Sequence, residues 1–122
     1  MVETTDLLER GIACFNAGDY REALLAFEQR WHGERSEWLR SLVLCANSFL
    51  HLAQGRVSAP RFNLQRAAEL LATTPDLVAG IDMIALRELV ADTRRRLPDT
   101  DAPISLGVDV PRPQIRRVAG YS

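Results

Sequence analysis

The sequence has no lysine, only two cysteines and no long apolar run. All fifteen basic residues are arginine, a bias typical of a GC-rich genome. Cys14 and Cys45 lie far apart in apolar segments, so a CxxC redox or zinc motif is excluded and two free thiols are expected. No segment approaches the roughly 20 apolar residues that a membrane-spanning helix needs.

The charge is nearly balanced, with a formal net charge of -1. This balance gives no reason to expect a nucleic acid or an anionic membrane as partner, and the three arginines at positions 112, 116 and 117 are too few to change that. The 47% of hydrophobic residues and the length of 122 residues suit one folded domain. Residues 1–6 are polar and acidic, unlike a secretion signal, so we expect a cytoplasmic protein without a bound cofactor.

Apolar residues recur every three or four positions in five segments, which predicts an all-α fold. Asp6, Asp19 and Asp82 are predicted N-caps, and Gly18 is the predicted end of the first helix. The third helix is apolar around most of its circumference and should form the centre of the core. The fourth and fifth helices are predicted to bury Phe62 and Ile84. The pattern indicates two helical hairpins followed by a C-terminal helix.

The domain organisation predicted is a helical domain over residues 1–97 and an extended, proline-containing tail over residues 98–122. In the tail, Ile104, Leu106 and Val108 alternate with polar residues and glycine, a strand-like pattern. Because the helical body offers no predicted strand to pair with, the tail either lies over the body, pairs with a partner or is mobile. We expect a homodimer in which these three side chains and Trp38 lie at the contact.

The segment Phe15-Asn16-Ala17-Gly18-Asp19-Tyr20-Arg21-Glu22-Ala23, with Glu28 and Trp31 after it, carries a family resemblance. It resembles the motif F-N-x-G-x-Y-x-E-A-H-E-x-x-E-x-x-W of the bacterial and archaeal family called domain of unknown function 309. Residues 39–52, 55–71 and 80–89 are similar to later helices of that family, so the resemblance covers about residues 7–97. It implies an all-helical orthogonal bundle, and it brings no established activity.

The chain departs from the family pattern at polar positions. Leu24 and Leu25 replace the His-Glu pair, Leu44 replaces a glutamine, and Arg56 replaces an asparagine. The resemblance therefore implies a degenerate member in which part of the family's polar pocket is aliphatic.

Glu28 and His51 are the candidate catalytic pair, because the resemblance carries both over and short helix connections would bring their faces together. A carboxylate beside an imidazole can serve acid–base chemistry, or it can be an ion pair that fixes helix register. With Leu24, Leu25 and Leu44 around them, we favour the ion pair. Three convergent metal ligands are not found in the sequence, so no metal is expected.

Trp31 and Trp38 flank the connection between the second and third helices. They are interpreted either as a hydrophobic clamp on the helical corner or as an anchor for a partner, with Trp38 the better contact residue. The main hypothesis is a non-enzymatic protein-association module. The alternative is an enzyme or ligand-binding protein that uses a Glu28/His51 cleft.

Overall fold

The computed structural model describes residues 4–118, which contain five helices and a two-stranded hairpin. The elements in chain order are α1 (Thr4–Asn16), α2 (Tyr20–Glu34), α3 (Glu37–Ala53), α4 (Ser58–Leu71), β1 (Leu77–Val78), β2 (Ile81–Asp82) and α5 (Met83–Arg96). The all-α prediction is confirmed.

The predicted helix boundaries follow from local hydrogen bonds. The Asp19 carboxylate accepts from the Glu22 N–H at 3.3 Å, and the Asp82 carboxylate accepts from the Ala85 N–H at 2.9 Å, so both are N-caps. Gly18 has a positive φ of 87° and closes α1 in a Schellman motif, in which the Asp19 N–H reaches the Cys14 carbonyl at 2.8 Å. The side chain of Asp6, the third predicted cap, lies outside the described residues.

The helices pack in chain order, each on the next, and α3 lies at the centre between α2 and α4. Leu39, Leu42 and Phe49 of α3 are fully buried, which confirms the prediction of a central third helix. Phe49 meets Phe15 edge-on, with ring centroids 5.7 Å apart, and Phe15 meets Tyr20 at 5.4 Å. This aromatic cluster joins the end of α1 to the start of α2 and the C-terminal half of α3.

The exposed faces of α4 and α5 differ from the prediction. Phe62 is 74% exposed and Ile84 is 49% exposed, although both were expected in the core. The core-facing side of α4 is formed instead by Leu64, Ala67 and Leu71. Phe62 lies on the opposite side, where no element covers it.

The hairpin before α5 was not predicted. β1 and β2 are antiparallel, with Leu77 opposite Asp82 and Val78 opposite Ile81. The turn residues Ala79 and Gly80 both have positive φ, 51° and 78°, as a two-residue hairpin turn requires. Arg87 of α5 steadies the loop that leads into β1: its Nε donates to the Leu71 carbonyl at 2.8 Å and its Nη1 to Asp76 at 2.8 Å.

Residues 98–118, which we call the strap, lie over the end of the helical body. The alternation at residues 104–110 does not form a strand. Val108 and Asp109 donate their N–H groups to the Ser105 carbonyl, and Gly107 donates to Val110, so the chain turns here. Val108 is at the outside of this turn and is 80% exposed, while Val110 is fully buried. Of the three alternatives for the tail, the structure shows docking on its own body.

Candidate functional site

Glu28 on α2 and His51 on α3 are both half-buried. Across residues 4–118 no hydrogen bond or ion pair joins the two side chains, so the expected contact is not formed. A shared face on each of two neighbouring helices brings side chains near one another, but the helices' rotation decides whether they touch. The use of a Glu28/His51 cleft in catalysis or ligand binding stays a prediction.

The other residues predicted to line a pocket or interface divide into two groups. Six are partly buried and pack against the core: Leu24, Trp31, Trp38, Leu44, Ile104 and Leu106. Two are exposed, Leu25 at 53% and Val108 at 80%. A role for these eight side chains in a pocket or an interface stays a prediction.

Trp31 is held in a stacked corner at the end of α2. The Arg35 guanidinium lies 4.5 Å from the centre of the Trp31 ring, and the His32 ring centroid is 5.3 Å away. Arg30 donates to Glu34 at 2.5 Å, and this hydrogen bond lowers the pKa of the Glu34 carboxyl. Arg35 has the left-handed conformation (φ 61°), and its N–H closes the helix on the Trp31 carbonyl. These contacts all lie within the last turn of α2 and its cap, so the choice between a clamp and a partner anchor stays open.

The strap begins at a guanidinium on α4. Arg61 Nε donates to the Pro98 carbonyl at 3.2 Å, and Nη2 donates to the Thr100 carbonyl and to Asp101 Oδ1, the latter at 3.3 Å. One side chain therefore fixes the direction in which the chain leaves α5. Beside it, Arg61, Gln65, Arg94, Leu97, Pro98 and Asp99 line a cleft of about 200 Å³.

The strap then crosses the two glycine turns at one end of the bundle. A Cβ atom at Gly55 would lie 3.4 Å from the Ile104 carbonyl oxygen, and one at Gly18 would lie 3.2 Å from Arg112 Nη1. Both glycines also have positive φ and end α3 and α1. Glycine at these two positions therefore lets the strap run close against the helix ends.

Asn16, the last residue of α1, grips the main chain of the strap. Its Nδ2 donates to the Ile115 carbonyl at 3.0 Å, and its Oδ1 accepts from the Ile115 N–H at 2.7 Å. Gln114 Nε2 donates to the Asn16 carbonyl at 3.0 Å, which satisfies one of the free carbonyls at the helix end. The Asn16 amide thus makes the two main-chain hydrogen bonds to Ile115 that a neighbouring β-strand would otherwise make.

The end of the strap makes one isolated antiparallel bridge to β2 of the hairpin. The Asp82 N–H donates to the Arg116 carbonyl at 2.9 Å and the Val118 N–H to the Gly80 carbonyl at 2.8 Å, which places Arg117 opposite Ile81. Arg117 also reaches Glu9 of α1 at 3.5 Å. The body therefore has a strand that the tail meets, contrary to expectation, but the meeting point is Arg117 and not the predicted residues 104–110.

Three strap side chains fill apolar sockets: Val110 and Pro113 are buried, and Ile115 is 3% exposed. We call the surface that the strap crosses the strap groove; the residues of the body that lie closest to the strap main chain there are Asn16, Gly18, Gly55 and residues 80–82. Burial also raises the pKa of Tyr20, beside the groove, and nearby Arg112 opposes that rise. The body thus hydrogen-bonds the main chain of the strap and buries its apolar side chains.

Sequence reasoning missed the strap groove. Asn16 stands in the motif that carries the family resemblance, but nothing in that motif indicates its partner, which lies 99 residues away. Arg61 likewise holds residues about 40 positions further on. Neither contact leaves a local pattern.

Between residues 4 and 118, no group of three or more His, Cys, Asp or Glu side chains is arranged to hold a metal ion. No helix within that range is long and apolar enough to cross a membrane.

Comparison with known proteins gives one finding. Neither the curated proteins nor the solved structures contain a match to this chain. Residues 8–61, which run from α1 into the first turn of α4 and include Asn16, Glu28, His51 and Arg61, match the model of the family described as Domain of unknown function (DUF309).

Proposed function

We propose that this chain is a degenerate member of that family and a non-enzymatic protein-association module, which binds an extended peptide segment in the strap groove. The observation that carries the proposal is the paired hydrogen bonding between the Asn16 amide and the main chain of Ile115. A side chain that bonds both the N–H and the carbonyl of one residue recognises an extended backbone.

The remaining contacts suit the same role. Residues 116–118 bond the open edge of β2 through one antiparallel bridge, and pairing at an open sheet edge is a common way for proteins to bind extended peptides. Main-chain hydrogen bonds supply affinity that is independent of the peptide sequence, and pockets for every second side chain supply selectivity. Val110, Pro113 and Ile115 are the buried side chains of the strap. The preferred ligand is therefore an extended segment that carries small or branched apolar side chains at the same three positions.

The proposal is tested with a fluorescent synthetic peptide of residues 103–118 added to the full-length chain. In the native chain the strap competes with the peptide, since a tethered segment has a millimolar effective concentration. Ile115→Ala weakens the strap's own docking, so we expect the peptide to bind this variant at least about tenfold more tightly than the native chain.

Two variants make the result specific. Asn16→Ala, added to Ile115→Ala, should reduce peptide affinity by about tenfold, because the groove loses its main-chain contact. Val108→Ala changes an exposed strap residue and should bind the peptide as weakly as the native chain does. Equal binding to all four proteins, with circular dichroism showing each to be folded, would refute the proposal.

A further inference from the structure

Residues 99–103 form the first part of the strap, which we call the link; they connect α5 to the docked residues that follow and are exposed without exception. Arg61 holds the link as far as Asp101, and the next contacts are those of Pro103 and Ile104 with the Gly55 turn. Ala102 lies between these two anchors, and its N–H makes one long hydrogen bond, to Thr100 Oγ1 at 3.4 Å. The chain can therefore change direction around Ala102 at little cost.

The buried strap side chains all lie beyond this hinge. Val110, Pro113 and Ile115, together with the main-chain bonds to Asn16 and to residues 80–82, form one docking unit. Moving this unit as a whole would leave its internal turn at residues 105–110 intact.

We propose that the strap of one copy of this chain docks into the strap groove of a second copy, which gives a homodimer by mutual exchange of residues 103–118. The inference rests on the proposed function and names its partner. The strap is the segment shown to fit this groove, and every copy of the chain carries it. The exchange is reciprocal, so the groove of each copy is filled by the strap of the other, and the assembly stops at two chains.

The balance between the two forms is set by concentration. Both make the same docking contacts, so the exchanged dimer competes when the chain concentration approaches the effective concentration of the tethered strap, which is in the millimolar range for short links. A link too short to span its two anchors lowers that effective concentration towards zero.

The main experiment shortens the hinge by deleting Asp101 and Ala102, which removes about 7 Å of reach. We expect the dissociation midpoint of the dimer to fall at least about 100-fold, so that light scattering at about 100 μM gives twice the mass of 13.7 kDa. Asp101→Ala alone controls for the lost ion pair with Arg61 and should stay monomeric. Insertion of Gly-Ser after Ala102 should also stay monomeric.

Ile115→Asp in the shortened chain decides whether the strap makes the dimer. Loss of the dimer supports the exchange, and a dimer that persists refutes it. A shortened chain that is folded, monomeric and as stable as the native one also refutes it.

A second measurement uses the native chain, in case the deletion prevents folding. Equal amounts of ¹⁵N-labelled and ¹³C-labelled chain are refolded together from urea at millimolar concentration. Nuclear Overhauser contacts between the Asn16 side-chain amide of one copy and the Ile115 methyl groups of the other are expected. A refolded chain that is wholly monomeric refutes the exchange; if it still binds the 103–118 peptide when Ile115 is replaced by Ala, the proposed function stands alone.

Discussion

Asn16→Ala tests the contact on which the strap groove depends. The substitution removes two hydrogen bonds to Ile115, at 3.0 and 2.7 Å. Each contributes about 1 kcal/mol net, and leaving the main chain of a 3% exposed residue without partners adds about 1 kcal/mol more. We expect the free energy of unfolding to fall by about 2–4 kcal/mol, which lowers the Tm by about 8–16 °C for a chain of this size.

Calorimetry and urea denaturation measure the loss, and amide hydrogen exchange at Ile115 locates it. Asn63→Ala is the matched control, because Asn63 is half-buried on α4 and its side chain makes no hydrogen bond anywhere in residues 4–118. Asn16→Asp should fall in between, since the carboxylate still accepts from the Ile115 N–H but faces its carbonyl oxygen. If Asn16→Ala costs no more than the control and Ile115 stays protected, the strap is held by other contacts.

Three further outcomes are expected. Phe49→Ala should cost about 3–5 kcal/mol in urea denaturation while Phe62→Ala stays within about 0.5 kcal/mol, and similar losses would mean that the core is misplaced. Burial raises the pKa of Cys45 to about 12, so a thiol reagent should modify half-buried Cys14 first and Cys45 only on unfolding; equal rates would contradict this. The Arg30 hydrogen bond lowers the pKa of Glu34, so its stabilisation is present above the unfolded value near 4.5 and is lost as pH falls through the folded value. Glu34→Gln should remove this acid-side loss, a few tenths of a kcal/mol for a solvent-exposed pair, and an unchanged pH profile would count against the pair.

The features predicted correctly from the sequence are local ones. Asp19 and Asp82 cap helices through bonds to residues three positions away, and Gly18 ends α1 through bonds that span at most five. Such contacts depend on a few neighbouring residues, so residue types at fixed spacing are enough to predict them. The central place of α3 was predictable for a similar reason, because its apolar residues surround the helix axis.

The features that were missed depend on distant parts of the chain. Periodicity shows that Phe62 and Ile84 are apolar, but only the arrangement of neighbouring helices decides which faces are covered. The hairpin has two residues in each strand and uses Ala79 at a positive φ where Asn or Gly is usual, so it lacked a recognisable signal. The grip of Asn16 on Ile115 joins residues 99 positions apart. The Glu28/His51 contact was expected from helix faces, which do not determine the rotation of one helix against another.

Because Asn16 and Ile115 are 99 residues apart, their contact can form only late in the synthesis of the chain. Helices α1 to α4 each pack on the next, so their hairpins can form as the chain leaves the ribosome. The sockets for Val110 and Ile115, however, stay open until residues 110–115 have been made. A nascent chain therefore exposes the apolar surface that these two side chains later cover until the last part of its translation.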